Sequence, residues 1–163
     1  MIQRLLPLVL CLVAGTAFAQ GADIALGTQT FDRTQPVEVT ADELSIDQAS
    51  GQAVFDGNVL VVQGEVRLSA GKVTVEYSTE GTAPNGVSRL IASEGVTFVT
   101  PAEAIEAREA TYSVADGTVR LSGDVILTQG QNAIAGETLT LDLNAGSGRM
   151  EGRVRTVFTP GGN

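Results

Sequence analysis

The sequence predicts an all-β protein made of short antiparallel strands. Three observations support this fold class. Apolar and polar side chains alternate with a period of two along most of the chain, 19 glycines punctuate the alternating stretches, and one pattern of residues recurs along the chain. Alternation is typical of strands with one buried and one solvated face, and the glycines are suited to turns, bulges and bends between them.

The alternation is clearest in the second half of the chain. Leu139 and Leu141 alternate with Thr138 and Thr140. The stretches around Val73 and around Leu121 follow the same rule, which predicts half-buried antiparallel strands there.

Two short motifs recur four times and divide the chain into four repeats. The first motif is an alanine-led strand entry, at residues 41–44, 70–73, 107–110 and 135–138. The second is a glycine shortly before a valine, at residues 57–59, 95–96, 123–125 and 152–154. Residues 41–68 align on 107–134 without a gap and keep three glycines in register. Repeats of this length indicate stacked supersecondary units that share one core.

The chain is expected to divide into four segments. Residues 1–19 predict a cleaved secretory signal, with Arg4 before a short apolar run and Ala17-Phe18-Ala19 as the cleavage site. Cys11 would permit a lipoprotein, but Leu10 before it does not fit that motif. Residues 20–35 are interpreted as a flexible leader, residues 36–159 as the folded domain and residues 160–163 as a tail.

One stretch departs from the strand pattern. Thr100, Pro101 and Glu103 have the residue types of a helix N-terminus. The repeat register places a strand beyond Ile105, so we expect a helical turn over 101–104 followed by a strand.

Composition excludes several classes of function. Without Arg4 the mature chain has 10 − 1 = 9 basic and 19 acidic residues, a net charge of −10, which argues against nucleic acid as a partner. It would contain neither cysteine nor histidine, and its acidic residues lack the spacing of a calcium site. We therefore expect no metal site and no cofactor.

Catalysis is not expected either. A glycosidase would need two converging carboxylates, and the candidates are Asp42, Asp47, Asp56, Glu94 and Asp124. They fall at predicted turns or outward positions and do not converge. The chain is therefore not interpreted as an enzyme.

Residues 57–75 resemble the repeat core of the LptA/OstA-type lipopolysaccharide transport proteins. The opening at residues 36–44 is similar to the start of that domain, and the resemblance extends over residues 36–158. It implies a single folded-over antiparallel β-jellyroll, open and V-shaped in section, with an apolar interior.

The resemblance also implies a role. Such a protein would be a periplasmic bridge that takes lipopolysaccharide from an inner-membrane transporter to an outer-membrane translocon. It would associate head to tail with its own copies, with an LptC-like partner at the inner membrane and an LptD-like partner at the outer membrane. A structural or adhesin-type β-repeat module with a closed core is the alternative.

The inward-facing apolar residues are the expected acyl-chain contacts. They are Leu44, Ile46, Phe55, Val59, Val61, Leu68, Val73, Val75, Phe98, Tyr112, Leu121, Val125, Leu127, Ile134, Leu139 and Leu141. The pattern alone favours the core of a closed sandwich, because alternating strands usually serve packing. The resemblance favours a groove, as do the mostly small aliphatic side chains.

Cations and strand edges complete the predicted surface. Four cations are candidates for phosphate contacts or for ordinary solvated positions: Arg67, Lys72, Arg108 and Arg120. The terminal strands are the expected oligomer edges, through Val37, Val39, Val154 and Val157. Glu38 near one edge and Arg155 near the other would favour head-to-tail pairing.

Overall fold

The chain folds into one large antiparallel sheet. The computed structural model describes residues 22–25, 35–78 and 86–158, and within them the sheet has 13 strands. The strands are β1 (Ala22–Ala25), β2 (Val37–Thr40), β3 (Glu43–Asp47), β4 (Gln52–Gln63), β5 (Val66–Tyr77), β6 (Val87–Ser93), β7 (Val96–Val99), β8 (Glu103–Ala107), β9 (Glu109–Ser113), β10 (Thr118–Gln129), β11 (Asn132–Asp142), β12 (Ser147–Glu151) and β13 (Arg155–Val157). The predicted all-β antiparallel fold is confirmed.

The sheet bends along a line that crosses its middle. In β4 the pairing with β5 shifts between Asp56 and Val59, and in β10 the pairing with β11 shifts between Ser122 and Val125. At each shift two residues of one strand oppose a single residue of the other, which is a β-bulge. A bulge bends its strand, so both strands turn at the same level.

Glycine makes this bend possible at Gly123. Its φ is 84°, a left-handed conformation that L-residues adopt at a cost, and a Cβ there would lie 2.8 Å from the Cβ of Arg108. Asp124 follows with φ 49°. Gly57 and Asn58 repeat this conformation in β4, with φ of 78° and 47°.

The bend divides the sheet into two halves. Strands β4, β5, β10 and β11 run through it, whereas the other strands end there. The first half has the strand order β3-β4-β5-β6-β9-β10-β11-β12-β1, and the second half has β2-β4-β5-β7-β8-β10-β11-β13. Each of the four predicted glycine anchors has left-handed residues at this line, including Glu94-Gly95 and Gly152-Arg153. The four-repeat and jellyroll descriptions themselves remain predictions.

The halves bury their apolar faces against one another in a single hydrophobic cluster. Packing is tightest toward β11 and β12, where Leu139, Leu141 and Met150 are 0–1% exposed. At the opposite end every residue of β3 is exposed. The interior is therefore closed at one end and uncovered at the other.

Part of the predicted flexible leader is a strand. Ala22–Ala25 pairs with β12, Ile24 is buried, and Asp23 lies 2.8 Å from Arg149 in an ion pair. The leader interpretation is therefore wrong for these residues, because a strand of this length is too short to show periodicity. The predicted signal peptide, the rest of the leader up to residue 34 and the tail lie outside the described residues.

The expected helical turn after Thr100 is also wrong. The Thr100 hydroxyl accepts hydrogen bonds from the backbone N–H groups of Ala102 (3.3 Å) and Glu103 (3.1 Å), as a helix cap would. The chain nevertheless makes a bend at Pro101 and enters β8 at Glu103. Pairing with β7 and β10 outweighs the local preference, so the strand predicted beyond Ile105 is confirmed.

Truncating a residue at the closed end should destabilise the protein. For Leu139→Ala we expect the free energy of unfolding to fall by about 2–5 kcal/mol, because the cavity lies in tightly packed surroundings. Leu60→Ala, at a side chain that is 37% exposed, is the matched control and should cost about 1 kcal/mol or less. Urea unfolding of both variants measures the difference, and equal losses would contradict this account of the core.

Candidate functional site

A groove opens between the two halves of the sheet. It encloses about 800 Å³, a volume that includes space open to solvent. Its walls are Val37, Val61, Gln63, Val66, Leu68, Val73, Leu90, Ala92, Phe98, Ala110, Tyr112, Val119 and Leu143. Leu68 and Phe98 come from the second half, while Leu90 and Tyr112 come from the first, so the folded sheet forms both walls.

The groove is apolar, and none of the described residues that line it is charged. Gln63, at the turn between β4 and β5, is the one amide in a lining that otherwise consists of aliphatic and aromatic residues. A wall of this kind offers hydrophobic contact and little hydrogen bonding. It can hold hydrocarbon, and it offers no ion pair to a phosphate or a carboxylate.

Strand pairing explains why these side chains meet. Leu68 pairs with both Val61 and Phe98, and Val73 pairs with both Phe55 and Ala92. Residues opposite each other in adjacent strands point to the same face of a sheet. Each pair therefore extends the apolar wall across neighbouring strands.

The structure sorts the predicted acyl-chain contacts into several environments. Five of them line the groove: Val61, Leu68, Val73, Phe98 and Tyr112. Another group is buried in the core, namely Val59, Val75, Leu121, Val125, Leu127, Leu139 and Leu141. Phe55 and Ile134 are partly buried against that core. Alternation predicts the face on which a side chain lies but not its depth, so lipid contact by the buried group stays a prediction.

Leu44 and Ile46 form a further case. They are 51% and 68% exposed, yet they pair with Phe55 and Ala53 and so lie on the interior face. They are exposed because β3 is at the edge of the first half, and no strand from the described part of the chain pairs beyond it. This uncovered inner row makes one end of the sheet open.

Several groove residues were not among the predicted contacts. Alternation does not identify Leu90, because its neighbour Ile91 is also apolar and the two faces of β6 are not distinguished by the sequence. Leu143 and Val119 continue the alternation of Leu141 and Leu121, and that pattern was sufficient to find them. Val37 is predicted only as an edge residue, yet it also lines the groove.

The candidate cations lie apart from the groove. Lys72 pairs with Asp56 at 2.8 Å and with Glu94 at 3.6 Å, and its hydrogen bond to Asp56 raises the pKa of Lys72. Arg108 pairs with Asp124 across the line of the bend.

The other two candidate cations, Arg120 and Arg67, also lie outside the groove lining. Arg120 donates a hydrogen bond of 3.5 Å to the hydroxyl of Thr140, and Arg67 is exposed. Neither lines the groove. Phosphate contacts by these four side chains remain a prediction without geometric support at the groove.

The predicted oligomer edges occupy both ends of the sheet. Val37 and Val39 lie on β2, which is an edge of the second half, and Val157 lies on its other edge, β13. Val154 lies just before β13 and packs partly against the core. In the first half the corresponding edges are β3 and β1, because β1 covers β12.

Within the described ranges, no three His, Cys, Asp or Glu side chains form a group that could hold a metal ion. The same residues include no helix with the length and apolarity needed to cross a membrane.

A folded antiparallel sheet with an uncharged apolar groove between its halves defines a protein suited to holding an elongated hydrophobic ligand. The chain belongs to the family of the LptA/(LptD N-terminal domain) LPS transport proteins, whose family model matches residues 38–147.

Individual proteins are also similar to this chain in sequence. The chain is 30% identical over 154 residues to the lipopolysaccharide export system protein LptA of Escherichia coli (strain K12), covering 85% of this chain and 79% of that protein. It is 29% identical over 157 residues to an uncharacterized protein of Rhizobium meliloti (strain 1021), covering 91% and 84%. Over 70 residues, 43% of this chain and 39% of the relative, it is 37% identical to the lipopolysaccharide export system protein LptH of Pseudomonas aeruginosa.

A solved structure supports the fold. The crystal structure of LptH, the LptA-homologous periplasmic component of the lipopolysaccharide transport device of Pseudomonas aeruginosa, matches with a TM-score of 0.69. The match has 22% sequence identity and covers 80% of this chain and 99% of that one.

The groove should bind small apolar probes. For an apolar fluorophore such as N-phenyl-1-naphthylamine, we expect Phe98→Asp to weaken binding about tenfold or more, because a carboxylate would then lie in the apolar wall. Leu60→Asp introduces the same charge at a position outside the groove lining and should leave binding unchanged. Fluorescence titration measures both, and equal weakening by the two variants would contradict the assignment of the groove.

Proposed function

We propose that this protein carries lipopolysaccharide through the periplasm by holding its acyl chains in the groove between the two halves of the sheet. The observation that carries the proposal is the uncharged apolar groove in a chain of an LPS transport family. The named relatives in Escherichia coli and Pseudomonas aeruginosa are lipopolysaccharide export proteins.

Hydrocarbon burial supplies the binding energy in this proposal. Each methylene group removed from water contributes about 0.8 kcal/mol, so partial burial of an acyl chain already gives useful affinity. The headgroup stays outside, since none of the described lining residues is a cation that could pair with its phosphates. The acidic balance of the chain, 19 acidic against 10 basic residues, supports the same arrangement.

The ends of the sheet support head-to-tail self-association. At one end Leu44 and Ile46 expose apolar surface on the inner face, and at the other Val157 and Phe158 are 51% and 74% exposed. A second copy stacked on the open end would cover Leu44 and Ile46 and continue the groove. The same edges are the proposed contacts for an LptC-like partner at the inner membrane and an LptD-like partner at the outer membrane.

The proposed location is the periplasm. Residues 1–19 would direct secretion as a signal peptide and would then be cleaved. This location is supported by the charged start, the short apolar run and the Ala17-Phe18-Ala19 site. The printed description of LptH as a periplasmic component supports it as well.

Transport without catalysis is the proposed mode of action. Among the candidate carboxylates, Asp56 and Glu94 are paired with Lys72, and Asp124 is paired with Arg108. Asp42 accepts a hydrogen bond of 2.7 Å from Asn58, and Asp47 accepts one of 2.8 Å from the backbone of Ala49. None of these carboxylates lines the groove, so none would act on a ligand held there.

The alternative of a structural or adhesin-type module with a closed core is not favoured. A closed core would have no need for the open groove beside Leu68 and Tyr112.

Photocrosslinking tests the cargo. A photoreactive residue at Leu68, Phe98 or Tyr112 should form adducts with lipopolysaccharide when the transport system is active. Ser69 is the matched control, since it is next to Leu68 but exposed and outside the groove lining. Adducts should be at least about tenfold fewer there, because adjacent strand residues point to opposite faces. A folded protein with no adducts at the three groove positions would refute the proposal.

Charge exchange tests the polarity of self-association. Arg155→Glu should weaken association about two- to fivefold at low salt, as expected for an exposed ion pair. Combining it with Glu38→Arg should restore the association, because Glu38 is on the opposite edge. Sedimentation equilibrium at low and high salt measures both effects. No change with Arg155→Glu would contradict the charge argument.

A further inference from the structure

Strands β1 and β2 are consecutive in the chain but lie at opposite ends of the sheet. Strand β1 is paired with β12, whereas β2 is paired with β4 at the other end. The hydrogen-bonded path β1-β12-β11-β10-β8-β7-β5-β4-β2 contains eight steps between neighbouring strands. At about 4.8 Å per step, the path along the sheet between the two strands is about 38 Å long.

The connection between them is barely long enough. From Ala25 to Val37 there are 37 − 25 = 12 residue steps, which span at most about 40–43 Å when the chain is fully extended. A flexible chain of this length has an average end-to-end distance of about 20 Å. A connection of 12 steps can therefore join β1 and β2 of the same copy only when it is almost fully extended, and such extension costs conformational entropy.

The direction of the path adds to this cost. Ala25 pairs with Ser147, beside the turn between β11 and β12, and Val37 pairs with Gln63, beside the turn between β4 and β5. These turns lie at the outer ends of opposite halves, away from the bend. A connection within one copy would have to pass from one half to the other and also cross the sheet from its first edge to its last, perpendicular to the strands.

The contacts between β1 and β12 are nevertheless extensive. All four residues of β1 are in register with residues 147–150, and Ile24 is 7% exposed at the closed end of the core. Asp23 and Arg149 form an ion pair of 2.8 Å. Such contacts suit a strand that belongs there, so the length of the connection decides which copy supplies it.

A stacked neighbour supplies it with little strain. In a head-to-tail stack, β3 and β2 of the following copy face β12 and β13 of the preceding one. Across the strands, the β1 strand of the following copy then has to reach only one or two spacings, about 5–10 Å, to pair with that β12. The passage from one half to the other is the same in both arrangements, so the distance across the strands is what differs. The first half has nine strands with β1 and the second half has eight, so without β1 the two halves have equal numbers of described strands.

We propose that β1 is exchanged between copies, so that Ala22–Ala25 of one chain pairs with Ser147–Met150 of its neighbour and Ile24 closes the neighbour's core. This proposal rests on the proposed head-to-tail association. A strand close to the mature N-terminus can exchange easily, because it can move to the neighbouring copy while the folded domain that follows it stays in place. The exchange joins the copies more firmly than contact between the edges alone.

Cysteine crosslinking in the mature chain, residues 20–163, reads the pairing directly. Asp23 and Arg149 are directly opposite, a geometry that a disulfide fits, and the mature chain has no other cysteine. Two differently tagged populations, one with Asp23→Cys and one with Arg149→Cys, are mixed and oxidised. Exchange between copies predicts a crosslink that joins the two tags. Pairing within one copy predicts none, and that result would overturn the proposal.

Changing the length of the connection supplies a second test, now with both cysteines in one chain. Deleting residues 27–30 leaves eight steps, at most about 29 Å, too short for pairing within one copy. The proposal predicts that crosslinked ladders persist in this variant, and loss of the crosslink would overturn it. Inserting ten Gly/Ser residues should shift crosslinks from ladders to single chains. Thr140→Cys with Arg149→Cys, a pair within one chain, controls for oxidation.

These crosslinks do not depend on lipid. Ladders without lipopolysaccharide adducts at the groove would support strand exchange and refute the carrier role. Adducts without crosslinks between chains would leave the carrier role standing and refute the exchange.

Discussion

A sheet with one apolar face must cover that face, and this chain does so by bending its own sheet across the middle. The bend depends on backbone conformations that only a few residues adopt at low cost, at Gly57-Asn58 in β4 and Gly123-Asp124 in β10. Because both strands bend at the same level, the two halves remain continuous through β4, β5, β10 and β11. The core, the groove and the open end all depend on this bend.

Packing between the halves is uneven, and the unevenness provides the site. Toward β12 the inner side chains are fully buried, and Met150, Leu139 and Leu141 leave no access. Toward β4 and β5, residues such as Leu68 and Phe98 are only partly covered and line the groove. The tightly packed end stabilises the fold. The less covered part of the same apolar face is therefore not needed for packing and is available to a hydrocarbon ligand.

The two ends of the sheet differ in what they leave exposed. One end has an uncovered inner row on β3, and the other is covered by β1. Open sheet edges invite further strands, and natural proteins use them for assembly when they are not protected. In this chain the mismatch between the position of β1 in the sheet and the short connection to β2 links the covered end to assembly.

The sequence by itself determined the fold class, the strands and the side of the sheet on which most side chains lie. The alternation around Leu139 and the repeated glycine anchors were sufficient for this, because period and turn chemistry are local properties. Depth was decided only in the tertiary structure: Leu68 lines a groove while Leu121 is fully buried, although both belong to the same pattern. The same holds for the strand Ala22–Ala25 and for the bend after Thr100, since pairing with strands distant in sequence decides both.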